Sequence, residues 1–354
     1  MSNFQRKLLK WFDSHARELP WRINRDPYRI WLSEVMLQQT TVAAVIGYFD
    51  RFVTKFPTLV SLAAAEEADV LLLWQGLGYY SRARNLHRAA KILVNEHNGK
   101  FPEDPEIFSK LPGIGRYMLG AILSQAFEQR LPIVEANTRR VYVRLLSRFD
   151  LDLDSREGQV WLWQTATDLL PRKRIGDFNQ ALMELGATLC RPQPLCEECP
   201  VSKECLAYQS GLQDQLPLSR KKKEFEQVQT VTLVIEDQGK FLLRQIGPGG
   251  RWARLWEFPQ RTIEPEETEA EACRKLLEEL GIRAQIGKEI TQIRYGVTRF
   301  KIQMTALEAE LTGRAIARED FRWLLPGEWA DHPLSTPMRK LAEILRNPRQ
   351  LRLF

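Results

Sequence analysis

Four of the five cysteines of this 354-residue chain lie close together, at Cys190, Cys196, Cys199 and Cys205. Gaps of five, two and five residues let four thiolates converge on one centre. The chain shows no secretory signal, so a disulfide pair is the weaker interpretation. Zinc and a 4Fe–4S cluster both accept four sulfur ligands, and the spacing does not separate them. The fifth cysteine, Cys273, lies in a helical pattern and is interpreted as a buried thiol.

A glycine-rich turn at residues 111–115, with the sequence Leu-Pro-Gly-Ile-Gly, separates two helical patterns that we expect to end near Lys110 and to begin near Arg116. Its two glycines allow backbone N–H groups to point outward at the start of the second helix, where no side chain blocks an approaching phosphate. The turn therefore predicts an anion site with Gly113 and Gly115 as its residues. Taken alone, it also fits an ordinary connection between two helices.

Two glutamates have surroundings that suit acid–base chemistry. Glu34 stands in a segment, residues 28–37, that is apolar on nearly every side, so desolvation should raise its pKa and keep a proton on it near neutral pH. Glu135 stands just before a predicted helix start at Asn137 or Thr138, where the helix dipole favours a negative charge. We expect these environments to push the two pKa values apart, with Glu34 as the acid and Glu135 as a stabilising anion.

The elements that position these residues change character along the chain. Apolar residues recur every three or four positions in the first part, which predicts an all-α domain over residues 1–218. The helical segments are residues 4–12, 28–37, 42–52, 71–74 and 160–170. A basic linker over 219–227 follows, which also fits a solvated hinge.

The second part of the chain predicts an α+β domain over residues 228–346. Residues 228–235, 240–244 and 298–310 alternate as strands do, and residues 267–280 have helical spacing. A tail over 347–354 completes the chain.

Composition limits the class of protein. The chain is 44% hydrophobic and 27% charged, which is typical of a globular protein. No apolar run approaches the roughly 18 residues that a membrane span needs. A net charge of +6 and a pI near 9.0 suit a polyanionic partner without identifying one. We expect a cytoplasmic, nucleoid-associated monomer.

The turn at 111–115 and the cysteine loop at 190–205 resemble the helix-hairpin-helix DNA glycosylases related to endonuclease III. Longer stretches resemble the MutY-type adenine DNA glycosylases within that superfamily, and the resemblance covers nearly the whole chain. These stretches are Trp31-Leu-Ser-Glu-Val-Met-Leu-Gln-Gln-Thr40, Gly76-Leu-Gly-Tyr-Tyr-Ser-Arg82 and Phe178-Asn-Gln-Ala-Leu-Met-Glu-Leu-Gly-Ala187.

The resemblance implies a helical glycosylase domain with a 4Fe–4S cluster on the four cysteines and a C-terminal Nudix-like domain. It implies that the enzyme removes adenine paired with 8-oxoguanine or guanine from double-stranded DNA. In the family the residue matching Glu34 protonates the adenine and later helps water attack, and the residue matching Asn137 orients the site. The family has Asp where this chain has Glu135, which is one methylene longer and so changes where the anion lies.

Tyr117 stands where related bifunctional enzymes have a Lys that attacks the sugar as an amine. A phenol cannot form that imine, so we predict a monofunctional glycosylase with little strand cleavage. In some adenine glycosylases a Tyr at this position contacts the catalytic Glu. Without the resemblance, Tyr117 also fits an ordinary core aromatic.

The resemblance also assigns residues to base recognition, which requires a flipped nucleotide and a filled gap. The residues implied for the adenine pocket are Trp21, Arg22 and Gln180. Those implied to contact or wedge beside the opposing 8-oxoguanine are Gln39, Thr40, Leu77 and Tyr79. Singly, each also fits an ordinary turn or helix position.

The second domain resembles Nudix proteins through Leu255-Trp-Glu-Phe-Pro259 and through a set of later residues: Glu266, Arg274, Glu278, Glu279, Gly281 and Ile282. Lys275 stands where a metal-ligating Glu is expected and Gln260 where a Gly is expected. A cation in place of a carboxylate weakens Mg²⁺ binding, so we do not expect pyrophosphate hydrolysis.

Two further features come from the resemblance. The Phe-Ser-His loop by which the family checks for 8-oxoguanine corresponds to residues 297–299 here, where Thr298 keeps a hydroxyl group. Residues 350–354, Gln-Leu-Arg-Leu-Phe, resemble the peptide that docks on the sliding clamp, although an idle tail fits equally.

The sequence therefore predicts a base excision repair enzyme, an adenine DNA glycosylase. Three alternatives remain open at this point: a sister glycosylase that removes thymine or oxidised pyrimidines, a catalytically weak binder of damaged DNA because of Glu135, and a Nudix hydrolase with a helical accessory domain.

Overall fold

The computed structural model describes residues 1–218, 225–250, 252–314 and 316–347. The chain divides into two compact units, Met1–Ala65 with Asn85–Lys221, and Glu66–Arg84 with Lys222–Phe354. We call them the helical unit and the sheet unit. Residues 66–84 therefore group with the sheet unit, although the predicted boundary places them in the first domain. Residues 219–224 of the predicted basic linker and the clamp-like peptide from Gln350 to Phe354 lie outside the described residues.

Helices account for all the regular structure described before residue 219. Twelve α-helices are described there: α1 (Asn3–His15), α2 (Pro27–Leu37), α3 (Val42–Lys55), α4 (Leu59–Ala63), α5 (Glu67–Trp74), α6 (Ser81–Glu96), α7 (Pro105–Phe108), α8 (Arg116–Phe127), α9 (Ala136–Leu145), α10 (Arg156–Asp168), α11 (Ile175–Thr188) and α12 (Leu206–Gln209). Short 3-10 turns cover Pro20–Arg22, Cys196–Glu198 and Ser202–Glu204. The predicted all-helical character of the first part is confirmed.

Local sequence explains where the two N-terminal helices begin. Ser2 accepts a hydrogen bond from the Gln5 backbone while the Gln5 side chain accepts one from the Ser2 backbone, a capping box that begins α1. Asp26 caps α2, and Pro27 occupies the first turn, where its missing N–H is not needed. The apolar stripe of α1 then packs on one core with residues from α9, α10 and α11.

The hairpin before α8 differs slightly from expectation. Its first helix, α7, is only four residues long and ends at Phe108, with residues 109–110 continuing as a turn, whereas we expected it to end near Lys110. The second helix begins at Arg116 as predicted. No helix in the described ranges is long and apolar enough to cross a bilayer.

The sheet unit contains a mixed seven-stranded sheet in its described residues. The strands are β1 (Glu226–Asp237), β2 (Lys240–Gln245), β3 (Trp256–Glu257), β4 (Gln260–Thr262), β5 (Ala284–Val297), β6 (Phe300–Leu311) and β7 (Phe321–Leu324). The main path is β3-β2-β1-β6-β5, with β4 paired to β1 and β7 to β2. Strands β1 and β6 are parallel, and the other pairs are antiparallel.

The sheet carries a hydrophobic core on each face. Alternate residues of β1 belong to different cores, because successive side chains of a strand point to opposite faces: Leu233 packs in one and Val234 in the other. Helix α13 (Glu269–Leu280) packs on the first face, and α14 (Thr336–Arg346) packs on the second. Cys273 of α13 is buried, as predicted.

Candidate active site

Glu34 lies in the last turn of α2, in a buried part of the helical unit. It is 5% exposed, and the neighbouring residues Ile30, Trp31 and Val35 are also buried. The Tyr117 hydroxyl donates a hydrogen bond to Glu34 Oε2 at 2.7 Å, and the Gln125 amide donates one to Oε1 at 2.9 Å. Both oxygens of the carboxyl group are therefore held by neutral donors.

Burial raises the pKa of Glu34, against the opposing effect of the hydrogen bonds from Tyr117 and Gln125. The negative charge of Glu135 raises this pKa further, and the Arg22 guanidinium lowers it. The predicted rise is confirmed. A carboxyl group in this state retains a proton at a pH where an exposed glutamate has lost it.

Two residues of α8 reach Glu34 from one helix face. Tyr117 and Gln125 are separated by about two helical turns, so their side chains lie on the same side of α8. The Tyr117 hydroxyl also lies 3.3 Å from the Met183 sulfur of α11. Burial raises the pKa of Tyr117 well above its ordinary value, so the hydroxyl keeps its proton.

Glu135 is the N-cap residue of α9, which begins at Ala136, one residue before the predicted start. Its Oε2 accepts from the Asn137 backbone at 2.9 Å, and its Oε1 accepts from the Thr138 backbone at 2.8 Å. The Thr138 hydroxyl accepts from the Glu135 backbone at 2.9 Å. The carboxylate thus satisfies backbone donors that the start of a helix leaves unpaired.

Burial raises the pKa of Glu135 even though the Asn137 and Thr138 backbone donors oppose the rise. The expectation that the helix start keeps Glu135 anionic is therefore not borne out by the direction of its pKa, which is raised like that of Glu34. The helix start acts in the expected sense, but desolvation of the carboxyl group outweighs it.

Asn137 connects Glu135 to the cysteine loop. Its side-chain amide lies 3.3 Å from Glu135 Oε2 as a donor, and its carbonyl oxygen accepts from Arg140 at 2.9 Å. Arg140 also donates to the backbone oxygens of Gly186 and Cys190, at 2.8 and 2.6 Å. A side chain on Gly186 would meet Asn137 Cβ at 2.6 Å, so α11 approaches α9 this closely only because residue 186 is glycine.

A pocket of about 640 Å³ opens at Glu135 and is lined also by Ala136, Arg139, Arg140 and Gln159, among others. Its two arginines suit an approaching phosphate. Glu34 does not line this pocket, although it interacts electrostatically with Glu135. The two carboxyl groups are therefore close enough to influence each other.

The three residues expected to line an adenine pocket differ in their contacts. Trp21 is buried edge-on against Phe49, with ring centroids 5.3 Å apart. Arg22 donates to Glu184 Oε2 at 2.9 Å. Gln180 is half-buried on α11.

Glu184 is a buried carboxylate that sequence reasoning did not single out. It is 1% exposed, and its Oε1 accepts a hydrogen bond from Arg17 at 2.6 Å. Its Oε2 pairs with Arg22. These arginines hold the pKa of Glu184 below its ordinary value against the opposing effect of burial. The ion pair between Glu184 and Arg22 holds the guanidinium group of Arg22. The charge of that group lowers the pKa of Glu34.

The predicted anion site has the backbone that glycine permits. Gly113 has φ +83°, the left-handed region, and an added Cβ would lie 3.1 Å from Asn85 Cβ. Gly115 is the N-cap of α8, and a Cβ there would meet no atom within 4 Å, so its surroundings are open. After α2, Gln39 is exposed with φ 58° and Thr40 is half-buried.

The remaining predicted DNA contacts belong to the sheet unit. Tyr79 is 44% exposed with φ 47°, and the Arg82 guanidinium lies 5.5 Å from its ring centroid. Leu77 is 7% exposed, so Tyr79 is the more accessible of the two. Thr298 lies in the two-residue turn between β5 and β6 with φ 51°, which is unusual for a β-branched residue.

The four clustered cysteines are unbridged and half-buried beside the core of the helical unit. Burial raises the pKa of Cys196, Cys199 and Cys205, and each also responds to the charge of Cys190, so the thiols lie near one another. Arg144, 2% exposed, lies 3.4 Å from Cys190 Sγ as a donor. Among the described residues, no three His, Cys, Asp or Glu side chains could hold one metal ion.

In the sheet unit, three acidic residues of the Nudix-like region are paired with cations: Glu257, Glu267 and Glu279. Lys275 contacts Glu267 Oε1 at 2.8 Å, and Arg261 contacts the same oxygen at 3.7 Å and also pairs with Glu279. Glu257, 4% exposed, accepts from Arg244 at 2.7 Å. Lys275 thus bonds to a carboxylate at the position where the family resemblance calls for a metal ligand.

Gln125, Met183 and Glu184 contact site residues but were missed from the sequence. Gln125 had one usable signal, since it is a polar residue in the largely buried helix α8 at helical spacing from Tyr117. Met183 and Glu184 lie within a motif that was quoted as a whole, and nothing in the spacing indicates what they contact.

Comparison with known proteins extends over both units. Residues 32–152 match the HhH-GPD superfamily base excision DNA repair protein family, and residues 230–343 match the NUDIX domain family. The chain is 35% identical to the adenine DNA glycosylase of Mus musculus, covering 98% of this chain and 78% of the relative. It is 37% identical to that of Buchnera aphidicola subsp. Acyrthosiphon pisum (strain APS), covering 73% of this chain and 74% of the relative. The chain belongs to the adenine DNA glycosylase family.

A solved structure supports the fold of the helical unit. A thermostable thymine-DNA glycosylase is 30% identical with a TM-score of 0.53, covering 58% of this chain and 95% of that chain. The predicted fold class, a helix-hairpin-helix glycosylase domain followed by a Nudix-like α+β domain, is confirmed. As an adenine DNA glycosylase family member, the chain is a base excision repair enzyme that acts on DNA.

Proposed function

We propose that this enzyme removes adenine paired with 8-oxoguanine or guanine by hydrolysing the N-glycosidic bond in duplex DNA. The observation that carries the proposal is the buried carboxyl group of Glu34, whose two hydrogen-bond donors are both neutral. Burial raises the pKa of this group, which favours the protonated form that can give a proton to a leaving base. The family relationship supplies adenine as the base.

In the proposed reaction, Glu34 gives its proton to the adenine ring as the bond to C1′ breaks, and the bonding electrons leave with the base. The sugar then carries positive charge, which the Glu135 carboxylate stabilises. A cation that develops beside Glu135 favours its ionised form, which offsets the rise that burial causes in the free enzyme. Water attacks C1′ and passes its proton to the Glu34 carboxylate, which restores the acid.

The proposal is tested by single-turnover excision from a duplex with adenine opposite 8-oxoguanine. Glu34→Gln should bind this duplex and fail to excise, because the shape of the side chain survives and the proton donor does not. Rapid excision by that variant would remove Glu34 from the mechanism. Excision of thymine in preference to adenine would favour the sister activity instead.

We also propose that the enzyme is monofunctional. Tyr117 has no amine, and its hydroxyl is engaged with Glu34. Borohydride added during turnover should trap no covalent enzyme–DNA complex, because trapping requires an imine. A trapped complex would show that another amine of the protein attacks the sugar.

We propose that Thr298 takes part in recognising 8-oxoguanine through its hydroxyl group. Thr298→Val keeps the shape of the side chain and loses the hydroxyl, so the preference for 8-oxoguanine over guanine opposite adenine should fall. An unchanged preference would separate Thr298 from lesion recognition.

We propose that the four cysteines hold a 4Fe–4S cluster. Four sulfurs on one zinc ion lie about 3.8 Å apart, because each Zn–S bond is about 2.3 Å long. In a cluster each thiolate binds a different iron, so the sulfurs lie further apart. The four thiols lie near enough to interact with one another, and the buried Arg144 offsets negative charge on the sulfurs; the family resemblance favours the cluster over zinc.

When bound, the cluster would cross-link the loop of residues 190–205, and the excision chemistry does not pass through it. Iron and acid-labile sulfide measured on the purified protein should be present in equal amounts, and Cys199→Ser should lower both. A preparation that carries zinc instead would contradict the cluster.

We further propose that the peptide from Gln350 to Phe354 binds the sliding clamp. Removal of these residues should abolish co-elution with the clamp and leave excision from short duplexes unchanged. Retained co-elution would identify the peptide as an idle tail.

A further inference from the structure

The two oxygens of the Glu34 carboxyl group face different kinds of partner. Oε1 faces the Gln125 amide nitrogen at 2.9 Å, and an amide NH₂ group only donates. Oε2 faces the Tyr117 hydroxyl at 2.7 Å, and a hydroxyl group donates or accepts. A proton on Oε1 would point at another proton, so the acidic proton of Glu34 belongs on Oε2.

A proton on Oε2 is donated to the Tyr117 oxygen, and the hydrogen of Tyr117 then needs another acceptor. The Met183 sulfur lies 3.3 Å from the same hydroxyl oxygen, and a thioether sulfur is an acceptor without a proton of its own. The Tyr117 hydrogen therefore has two places to point: Glu34 Oε2 when Glu34 is ionised and Met183 Sδ when Glu34 is protonated.

We propose that Gln125 and Met183 are positioning residues that place the catalytic proton of Glu34 on Oε2. Gln125 keeps the proton off Oε1, and Met183 accepts the Tyr117 hydrogen while Oε2 is protonated. When Glu34 gives its proton to adenine, the Tyr117 hydroxyl turns from Met183 to the newly charged Oε2, and no other proton is gained or lost. This inference rests on the proposed role of Glu34 as the acid.

Other charged groups around Glu34 act at longer range. Arg22 from the turn before α2 lowers its pKa, and Glu135 at the start of α9 raises it. Glu184 of α11 forms ion pairs with Arg17 and Arg22. The core-facing side of α3 is apolar, with Val45, Phe49 and Phe52.

The two positioning residues should shift the acid in opposite directions. Gln125→Met removes a donor to the ionised carboxylate, which favours the protonated form and raises the pKa of Glu34. Met183→Leu removes the acceptor that the protonated arrangement uses, which lowers that pKa. Both substitutions nearly conserve side-chain volume, so packing changes little.

The test is the pH dependence of single-turnover excision with enzyme in excess over a duplex carrying adenine opposite 8-oxoguanine. Excision by an acid is lost as pH rises through the pKa of that acid, so the alkaline limb of the profile reports Glu34. We expect this limb to move up by about 0.5 pH unit in Gln125→Met and down by about 0.5 pH unit in Met183→Leu. Gln125→Leu and Met183→Ile serve as second variants if either of the first pair does not fold.

Tyr117→Phe provides the control for a route through the hydroxyl. In that background Met183→Leu should cause no further movement of the alkaline limb, because no phenolic hydrogen remains to be accepted. An equal shift in both backgrounds would overturn the inference, since Met183 would then act by packing. Slower excision with unmoved limbs, or a wild-type profile that lacks an alkaline limb, would also overturn it.

Glu34→Gln distinguishes this inference from the proposed function. If that variant still excises adenine, the role of Glu34 as the acid fails, and the inference fails with it. If that variant is inactive while the Gln125 and Met183 variants leave the limb in place, only the inference fails.

Discussion

Two carboxyl groups, Glu34 in the helical unit and Glu267 in the sheet unit, have pKa values that are shifted in opposite directions. In the helical unit, Glu34 receives hydrogen bonds from a phenol and an amide, and its pKa is raised. In the sheet unit, Glu267 receives a backbone hydrogen bond from Glu264 and contacts Lys275, and its pKa is lowered. Burial raises the pKa of Glu34 against its neutral donors, whereas the backbone donor and Lys275 lower the pKa of Glu267.

The contrast shows how the partners of a carboxyl group bear on what that group can do. In the helical unit, burial raises the pKa of Glu34, the residue that we propose as the acid. In the sheet unit, Lys275 and Arg261 neutralise carboxylates that would otherwise attract a divalent cation. Two acidic side chains of the Nudix-like region, Glu267 and Glu279, are therefore engaged by cations.

The largest effect on the excision rate is expected when the Glu34 carboxyl group is removed. Glu34→Gln should slow single-turnover excision by about 10²- to 10⁴-fold, the usual contribution of a positioned acid, with the affinity for the duplex nearly unchanged. Glu96→Gln, an exposed substitution of the same kind on α6, should excise at the wild-type rate. If Glu34→Gln excised adenine as fast as the Glu96→Gln control, the assignment of Glu34 as the acid would be contradicted.

A second, smaller effect concerns the carboxylate that caps a helix. Glu135→Ala should lower the free energy of unfolding by about 1 kcal/mol, because the first turn of α9 loses its side-chain acceptor, and it should also slow excision. Glu135→Asp keeps an N-cap acceptor and should retain most of the stability. Chemical denaturation measures both variants, and an unchanged stability in Glu135→Ala would show that the cap contributes little.

The raised pKa of Glu34 predicts a dependence of stability on pH. Because the folded state holds this proton more tightly than the unfolded chain, the wild type should lose stability as pH rises from the ordinary range of glutamate, about 4.3, through the raised pKa. Glu34→Gln carries no titrating group and should lack this loss. Its stability advantage should grow with pH and vanish in acid, and a constant difference across pH would show that Glu34 is not protonated in the folded protein.

The smallest effect is expected for the cation in the sheet unit. Lys275→Met removes one partner of Glu267 but leaves Arg261, so the melting temperature should hardly change. Added Mg²⁺ should raise the melting temperature of neither protein, and neither should release pyrophosphate from a nucleoside triphosphate. Release by the wild type would show that its carboxylates are available to the metal after all.

Local pattern was sufficient for most elements. The apolar spacing of residues 4–12 and 160–170 predicted helices that the structure places in α1 and α10. The alternation in residues 228–235 predicted β1. In each case the period of the apolar residues fixes which face is buried, so neighbours along the chain carry the necessary information.

The local spacing of apolar residues could not predict contacts between segments that are far apart in the sequence. Glu135 was predicted to have an anion-favouring environment from its helix start alone, yet burial by other segments raises its pKa. Residues 66–84 continue the helical pattern of the first part, yet their contacts place them with the sheet unit. Periodicity indicates that a face is buried but not which segment covers it.

The sequence by itself determined the two kinds of domain, the four clustered cysteines and the burial of Glu34, because each follows from residue type and spacing within one segment. Only the tertiary structure decided which groups meet that carboxyl. Tyr117, Gln125 and Met183 come from two other helices. The physical reason is that the direction of a hydrogen bond depends on where side chains from different helices converge, and the packing of those helices alone sets that geometry.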